Sequence, residues 1–290
     1  MSVAYLIRAH HKPVELARLV ERLTTDNASV YVHVDARASA KTYAAMRRKL
    51  GNVHWVERVP ARYAGFSLVR SMLAGLADIA SAEPMPTHTV FLSGQDYPLR
   101  PAPEIEQALA GHPGESLVEH FPIPDPERWA DDNGGLDRIA YWYFERVRYR
   151  TRILRLPLLR RSFPRGLKPY GGSAWCVLSD EAVRTLLDFP AERPDAFRFF
   201  AHAKMPDEIF TQTVLLNSPA GERVLNESTH YVDWPGGSHP ATFRRDDFPR
   251  LAGSGKLFAR KFDVDEDAEI LDLIDRELLA TPREASQPAG

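Results

Sequence analysis

The chain begins with short apolar runs that alternate with segments in which apolar residues recur every three to four positions. The runs predict buried strands and the recurring segments predict amphipathic helices. In chain order we expect a strand over 3–7, a helix over 13–23, a strand over 30–34, a helix over 40–50, a strand over 53–56, a helix over 67–80 and a strand over 89–92. This order predicts an α/β fold with a mostly parallel sheet that binds its ligands at the strands' carboxyl ends.

The regular alternation ends near residue 100. Proline and charged residues are dense over 100–138, which predicts an irregular insertion over about 100–170 that holds a second substrate. A strand over 173–178, a helix over 180–187, a helix from Pro206, and a loop followed by a helix over 254–279 complete the predicted core. We therefore expect a single domain over 1–279 and a flexible tail over 280–290.

Composition narrows the class of protein. With 290 residues, 44% of them apolar, the chain is long enough for a large packed core. A formal net charge of −2 provides no general basic field, so no nucleic-acid partner is expected. Cys176 stands alone, which excludes an intrachain disulfide. Neither a leader-like start nor an apolar run of membrane-spanning length is visible, so we expect a cytoplasmic protein.

Polar residues follow three of the predicted strands. His10 and His11 follow the first, Asp35 ends the second, and Asp96 comes shortly after the strand over 89–92. No GxGxxG or Walker-type loop is present, which disfavours a dinucleotide or P-loop protein. Adjacent histidines on a strand point to opposite faces, so His10 and His11 do not predict a metal site.

Two adjacent carboxylates, Asp207 and Glu208, follow Pro206 at the start of an apolar segment. A carboxylate placed there can accept a proton. Proline followed by acidic residues is also an ordinary helix start, in which Asp207 meets the positive end of the helix dipole. Both interpretations remain open from this pattern alone.

A cationic pair, Arg260 and Lys261, lies between Phe258 and Phe262. A guanidinium offers forked donors to phosphate oxygens and an ammonium offers a point charge, so an anchored pair can neutralise an anion. The alternative is a solvated surface pair, which the flanking aromatics disfavour. A base combined with a phosphate clamp predicts group transfer from a nucleotide-activated donor.

Seven short motifs occur in one order along nearly the whole chain. They lie at 9–12, 33–35, 63–69, 92–99, 172–175, 206–208 and 258–263. In this order they resemble the family 14 glycosyltransferases, which comprise the core-2/I-branching β-1,6-N-acetylglucosaminyltransferases and the peptide O-xylosyltransferases. The chain departs from that pattern twice. Ala64-Gly65 stands where relatives commonly have a tryptophan, and Ser238-His239-Pro240 stands where the branching enzymes have an arginine for the diphosphate.

The resemblance implies a GT-A-type fold, a UDP-sugar donor, inversion at the anomeric carbon and independence from metal. N-acetylglucosamine is the favoured sugar, with xylose as the alternative, and the acceptor is a hydroxyl of a glycan, a lipid-linked glycan or a peptide. Glu208 is similar to the family's base, and Arg260 with Lys261 would neutralise the leaving diphosphate. No cofactor is expected besides the UDP-sugar co-substrate. The acidic pair Asp263 and Asp265 is expected to cap the following helix and to bind no metal.

Further donor and acceptor residues are expected from the same motifs. On the donor side, Asp35 would accept the uracil N3 proton, Tyr63 and Ser67 would contact the donor, and His10 and His11 would line the phosphate path. On the acceptor side the candidates are Asp96, Trp175, Asp207 and Trp234, since the apolar faces of sugar rings stack on indole. Structural alternatives stay open: Tyr63 and Trp175 as packed aromatics, Ser67 as a helix cap, and Asp96 as a turn residue.

The segment 146–168 is rich in arginine interleaved with apolar residues. It predicts either contact with an anionic surface, at the inner face of a membrane or on a charged acceptor, or pairing with the acidic residues over 125–137. Two other functions therefore stay open for the chain. One is a nucleotide-sugar or glycan binding protein without turnover, and the other is a peripheral membrane or nucleic-acid module.

Overall fold

A computed structural model of the protein describes residues 1–145, 154–236 and 239–280. Its first part alternates strands and helices as the periodicity predicts. In chain order these are β1 (Val3–Ala9), α1 (Pro13–Leu23), β2 (Ala28–Val34), α2 (Ala40–Lys49), β3 (His54–Trp55), α3 (Ser67–Ala80) and β4 (His88–Ser93). The predicted bounds of α1 and α3 coincide with the observed ones.

The second part is built from shorter elements. The strands are β5 (Asp96–Pro98), β6 (Ser116–Leu117), β7 (His120–Pro122), β8 (Tyr141–Phe144), β9 (Leu154–Arg160), β10 (Tyr170–Gly172), β11 (Val177–Ser179), β12 (Val224–Leu225), β13 (His230–Val232) and β14 (Phe258–Arg260). The helices are α4 (Ala102–Ala110), α5 (Leu136–Ala140), α6 (Asp180–Glu192), α7 (Pro194–Phe200), α8 (Phe210–Leu216), α9 (Phe248–Ala252) and α10 (Glu269–Ile274). Single 3-10 turns span Ala130–Asp132, Pro206–Glu208, Pro219–Arg223 and Arg245–Asp247, and a π turn spans Asp275–Leu279.

The central sheet has seven strands in the order β12-β6-β11-β4-β1-β2-β3. Its strand pairs are parallel except where β11 runs antiparallel between β4 and β6. The predicted α/β, GT-A-type fold with a mostly parallel sheet is therefore confirmed. The predicted strand over 173–178 begins later than expected, because residues 173–176 form no strand before β11.

Helices cover both faces of this sheet. Along β1 the alternate residues Tyr5 and Ile7 join a core with α1, α2 and α10, while Ala4 and Leu6 join a second core with α3, α6 and α8. A strand presents successive side chains to opposite faces, so both faces of β1 are apolar and buried. Each fully buried leucine or isoleucine stabilises the fold by about 1.5–3 kcal/mol.

A small second sheet lies beyond the carboxyl end of β4. It has the order β13-β14-β5, and Arg260 of β14 is registered opposite Asp96 of β5. The cationic pair was expected in a loop, but β14 places Arg260 within a strand. Flanking Phe258 and Phe262 are both buried, which explains why this segment is ordered as a strand. The sheet thus brings a cation from the end of the chain to the carboxyl edge of the central sheet.

The predicted insertion is more regular than its composition indicates. It contains α4, and β6 joins the central sheet between β12 and β11. Pro101 and Pro103 lie where α4 begins, at positions that tolerate proline because the first backbone N–H groups of a helix have no partner within it. The proline-rich composition therefore marked helix starts as well as loops.

The arginine-rich segment is partly described. Strand β9 pairs antiparallel with β8, and Leu158 on β9 is 93% exposed. Arg155 lies 3.7 Å from Asp137, a contact of the kind expected if the basic segment pairs with the acidic one. Residues 146–153, and residues 281–290 of the predicted tail, lie outside the described residues. Membrane contact through 146–168 stays a prediction. Among the helices described, none is long and apolar enough to cross a bilayer.

Candidate active site

Glu208 ends the 3-10 turn Pro206–Glu208, and α8 begins two residues later. The predicted helix from Pro206 is therefore two elements, since Ile209 has φ −131° and interrupts the helical conformation. This break sets the Glu208 side chain apart from the helix that follows. Its carboxylate is 22% exposed and accepts a hydrogen bond from Arg138 Nη1 at 2.5 Å.

Burial is the main influence on the Glu208 carboxyl and raises its pKa to about 7. The neighbouring charge of Asp207 adds to this rise, while Arg138 opposes it. A carboxyl with a pKa near neutrality exists in both protonation states under physiological conditions and can accept and release a proton. These properties are those required of a general base.

Asp207 is buried in the same turn. Its Oδ2 atom lies 3.8 Å from Arg8 Nη2, whereas its Oδ1 atom has no hydrogen-bond partner among the described residues. Burial raises the pKa of Asp207 against the opposing charge of Arg8. The turn has proline at its start and both acids in its first residues, as the helix-start alternative predicts, but the Asp207 side chain forms no capping hydrogen bond. A buried acceptor without a partner is costly, so Oδ1 is suited to bind a ligand hydroxyl.

Arg8, at the carboxyl end of β1, is a functional candidate that the motif pattern did not identify. Its guanidinium lies 5.2 Å from the Phe91 ring centre and 5.6 Å from that of Trp175. Burial lowers the pKa of Arg8, but an arginine retains its charge inside proteins. A cation after the apolar run 3–7 is the signal that could have identified it, because a buried charge requires a partner.

Arg260 is held in place by a buried network. Its guanidinium lies 4.1 Å over the Trp175 ring, and its Nε is 3.6 Å from Asp96 Oδ1. Asp96 also accepts hydrogen bonds from Ser93 N and Oγ, at 2.7 and 2.6 Å, and faces His230 Nε2 at 3.6 Å. Burial alone would raise the pKa of Asp96, but Arg260 and His230 together lower it.

These contacts change the expected roles of Asp96 and Trp175. The Asp96 side chain is 0% exposed, so it contacts Arg260 and no acceptor in this conformation. The indole of Trp175 is stacked with Phe91, at 5.3 Å between ring centres, and also forms a cation–π contact with the Arg260 guanidinium. The carboxylate of Asp96 and the ring of Trp175 therefore both contact the Arg260 guanidinium and hold it in position. The carboxylate and indole that were expected to bind an acceptor sugar thus contact Arg260, and a sugar contact at either residue stays a prediction.

Lys261 directly follows Arg260 and is half-buried. Backbone bonds fix it, since its N–H donates to Ala241 O and its C=O accepts from Phe243 N. Within residues 1–145, 154–236 and 239–280, no side chain forms an ion pair or hydrogen bond with the Lys261 ammonium. The ammonium is therefore available to bind an anion.

Of the donor-side candidates, Asp35 is already hydrogen-bonded within the protein, whereas Tyr63 is exposed to solvent. Both oxygens of Asp35 already accept hydrogen bonds from Arg37, and its Oδ1 also accepts from Ala61 N. Asp35 is therefore committed to its own loop, and a uracil contact there stays a prediction. Tyr63 is 53% exposed, and its ring centre lies 5.9 Å from that of His239. Partial burial raises the pKa of Tyr63, and the negative charges of Glu208 and Asp207 add to this rise.

Ser67 is the first residue of α3 and not its N-cap, which is Phe66. The Ser67 Oγ atom accepts from Arg62 N at 2.8 Å, and its backbone N–H donates to Glu145 Oε1 at 2.7 Å. Gly65 allows this close approach, since a Cβ there would lie 2.4 Å from the same carboxylate oxygen and would displace the Glu145 side chain. An acidic side chain thus occupies the anion-binding end of α3.

The remaining candidates lie at the edges of the site. His10 and His11 have ring centres 3.9 Å apart after β1, and Lys12 forms ion pairs with Asp263 and Asp265. The acidic pair therefore binds a lysine, and Asp263 Oδ1 also accepts a hydrogen bond from the backbone N–H of Asp265. The expected helix cap is wrong for this pair, because α10 begins only at Glu269 and its first N–H groups donate to Asp267 instead. Within the described residues, no group of three or more His, Cys, Asp or Glu side chains is placed to hold a metal ion.

Trp234 lies in the loop after β13 and is 57% exposed. Its indole is thus more accessible for stacking than that of Trp175, which is partly buried and packed against Phe91. The neighbouring Ser238, one of the two departures from the family pattern, lies outside the described residues.

Comparison with known proteins identifies the family. The profile of the Core-2/I-Branching enzyme family matches residues 3–254, so the chain belongs to this family. The resemblance to the family 14 glycosyltransferases is thereby confirmed.

Several xylosyltransferases are similar to this chain. Xylosyltransferase 2 of Rattus norvegicus is 28% identical over 95% of this chain and 33% of that protein. Xylosyltransferase oxt of Drosophila melanogaster is 24% identical over 91% of this chain and 32% of that protein. The chain spans about one third of the length of these relatives. Among solved structures, the apo form of mouse xyloside xylosyltransferase 1 aligns over 89% of this chain and 97% of its own, with 13% identity and a TM-score of 0.39.

Proposed function

We propose that this protein is an inverting glycosyltransferase that transfers a sugar from a UDP-sugar to a hydroxyl of a glycan or peptide. The observation that carries the proposal is the Glu208 carboxylate, which is 22% exposed, is held through one oxygen by Arg138, and has a pKa of about 7 that suits a base. The sequence favoured N-acetylglucosamine, but the similarity to xylosyltransferases supports xylose as the first sugar to test.

In the proposed reaction the acceptor oxygen attacks the anomeric carbon from the face opposite the diphosphate. Its O–H proton passes to Glu208, a C–O bond forms, and the bond from the anomeric carbon to the phosphate oxygen breaks. The electron pair of that bond leaves with UDP. Lys261 and Arg260 stabilise the negative charge that develops on the diphosphate, which is the usual source of a large catalytic effect.

Tyr63, Asp207 and Trp234 complete the proposed substrate site. The Oδ1 of Asp207, which has no hydrogen-bond partner among the described residues, accepts from a sugar hydroxyl, and the exposed indole of Trp234 stacks on the acceptor. Asp96 and Trp175 act through Arg260, since both are packed against it.

A panel of UDP-, GDP- and TDP-sugars tests the donor class. We expect UDP-xylose or UDP-N-acetylglucosamine to raise the melting temperature and to be slowly hydrolysed, because a ligand that binds only the folded state stabilises it. The other nucleotides provide the matched controls. A shift with UDP-sugars but no product with any hydroxyl acceptor would favour the binding-protein function, and equal shifts with all nucleotides would contradict UDP selectivity.

Removal of divalent metal tests the source of the counter-charge. Since fixed cationic side chains are proposed to neutralise the diphosphate, transfer after dialysis against EDTA should stay within about twofold of the untreated rate. Addition of Mn²⁺ to the dialysed protein should likewise leave the rate unchanged. Loss of activity that Mn²⁺ restores would assign the diphosphate to a metal ion instead.

A further inference from the structure

Arg138, which the motifs did not single out, is fixed by three contacts. Its Nε donates to Asp132 Oδ2 at 2.7 Å, its guanidinium carbon lies 3.6 Å over the Trp129 ring, and its Nη1 donates to Glu208 Oε2 at 2.5 Å. The side chain is 11% exposed. A planar guanidinium held by a carboxylate, a ring and a second carboxylate has little freedom to rotate.

Asp132 also ties the neighbouring backbone to this arrangement. Its Oδ1 accepts from Lys204 Nζ at 2.5 Å, and the backbone N–H of Lys204 donates to Arg138 O at 2.9 Å. Lys204 lies just before the turn Pro206–Glu208, so the segment that carries Glu208 is anchored to α5 by backbone and side chain together. The Ala130–Asp132 turn and α5 thus act as a support for the candidate base.

The two carboxylate oxygens of Glu208 differ in their hydrogen bonds. Oε2 is held by Arg138, whereas Oε1 accepts no hydrogen bond from any of the residues described. Proton abstraction requires a base oxygen within about 2.6–3.2 Å of the attacking hydroxyl, so a freely rotating carboxylate would be a poor base. Fixing one oxygen directs the other.

We propose that Asp132 and Arg138 are positioning residues for Glu208, in which Asp132 and Trp129 lock the Arg138 guanidinium and that guanidinium directs Glu208 Oε1 toward the acceptor hydroxyl. This inference rests on the proposed role of Glu208 as base. It assigns a function to the insertion, which holds the base as well as bordering the acceptor side.

The charges around Glu208 predict a specific pH signature. Charged or titratable neighbours come from each surrounding segment: Arg138 and Asp132 from the support, Asp207 from its own turn, Arg260 from β14, and Tyr63 from the loop before α3. Arg138 lowers the pKa of Glu208, while Asp132 raises it. Since the base acts as a carboxylate, activity falls as the pH drops through its pKa.

Opposite shifts are therefore expected when the two charges are removed separately. In R138Q the pKa of Glu208 rises, so the acid limb of the pH profile of kcat should move to higher pH by about one unit. In D132N the pKa of Glu208 falls, so the acid limb should move downward, by less than in R138Q because Asp132 influences Glu208 less than Arg138 does. R138K keeps the positive charge but loses the forked N–H donors of the guanidinium. The acid limb of its pH profile should therefore stay at the wild-type position, while kcat falls by about 10- to 100-fold.

A folding control accompanies these profiles. R138Q leaves Asp132 with Lys204 alone, so each variant is first compared with the wild type by thermal unfolding and UDP binding. If R138Q does not fold, R138K and D132N supply the test. The acid limb of the kcat–pH profile should stay at the wild-type pH in R138K and move to lower pH in D132N.

Two results would overturn the positioning role. One is a pair of limbs that move in the same direction or not at all, and the other is a loss confined to the acceptor KM, as a direct substrate contact would produce. The separate variant E208Q distinguishes this failure from failure of the proposed function. An active E208Q would remove Glu208 as base, whereas an inactive E208Q with unshifted limbs would refute only the role of Arg138 and Asp132.

Discussion

Replacement of Glu208 by glutamine is expected to lower the transfer rate by about 10³-fold and to leave UDP binding unchanged. The amide has the shape of the carboxyl but cannot accept the acceptor's proton. It can still accept the hydrogen bond from Arg138 through its carbonyl oxygen, so the turn should stay intact. Initial rates at saturating donor and acceptor, together with the UDP dissociation constant from calorimetry, measure the two effects separately.

Glu15 supplies a matched control for this experiment. It is 2% exposed, and burial raises its pKa to about 7 as well, yet it lies on α1 and accepts from Val264 N. E15Q should therefore transfer sugar at the wild-type rate. A wild-type rate in E208Q would disprove the base assignment, and a parallel loss of UDP binding would show that the substitution damages the site as a whole.

The sequence predicted the first half of the fold because its elements are long and periodic. Strand β1 and helices α1 and α3 each carry an apolar pattern that only one secondary structure buries well. Strand β11 was placed too early and its antiparallel direction was not foreseen. Its three residues pair with β4 and β6, and neither partner nor direction is encoded in so short a segment.

Much less of the candidate site was predictable. Adjacent acids identified Glu208, and an aromatic-flanked pair identified Arg260 and Lys261, because those signals are local. Arg138 and Asp132 carry no such signal, since they meet Glu208 only after the insertion folds against the Pro206–Glu208 turn. Contacts between residues distant in sequence follow from topology and cannot be derived from one sequence.

Asp96 and Trp175 show a related limit. Their residue types suggested sugar contacts, but the fold places the Arg260 guanidinium against both. A buried cation needs a carboxylate and benefits from an aromatic face, so such residues are as well suited to hold an arginine as to hold a sugar. The residue type defines which contacts a side chain can make, and the packing of the fold determines which of these contacts it does make.

The two cations of the proposed clamp, Arg260 and Lys261, are therefore expected to respond differently to mutation. Arg260→Met would leave Asp96 buried without its charge partner, and breaking a buried pair costs about 3–5 kcal/mol of stability. A loss of activity in that variant would mix folding with catalysis. Lys261 has no such partner among the residues described, so it gives the cleaner test of the clamp.

Lys261→Met should lower kcat by about 10²-fold, because one fixed donor to the leaving group is removed from the transition state. UDP binding should weaken as well, while the melting temperature stays near that of the wild type. Lys261→Arg should restore part of the rate, since it returns the charge with altered geometry. The exposed Lys41 on α2 is the control, and K41M should behave as wild type. If K261M retains both the full rate and UDP affinity, the ammonium does not contact the diphosphate, and neutralisation must come from Arg260, Arg8 or a metal ion.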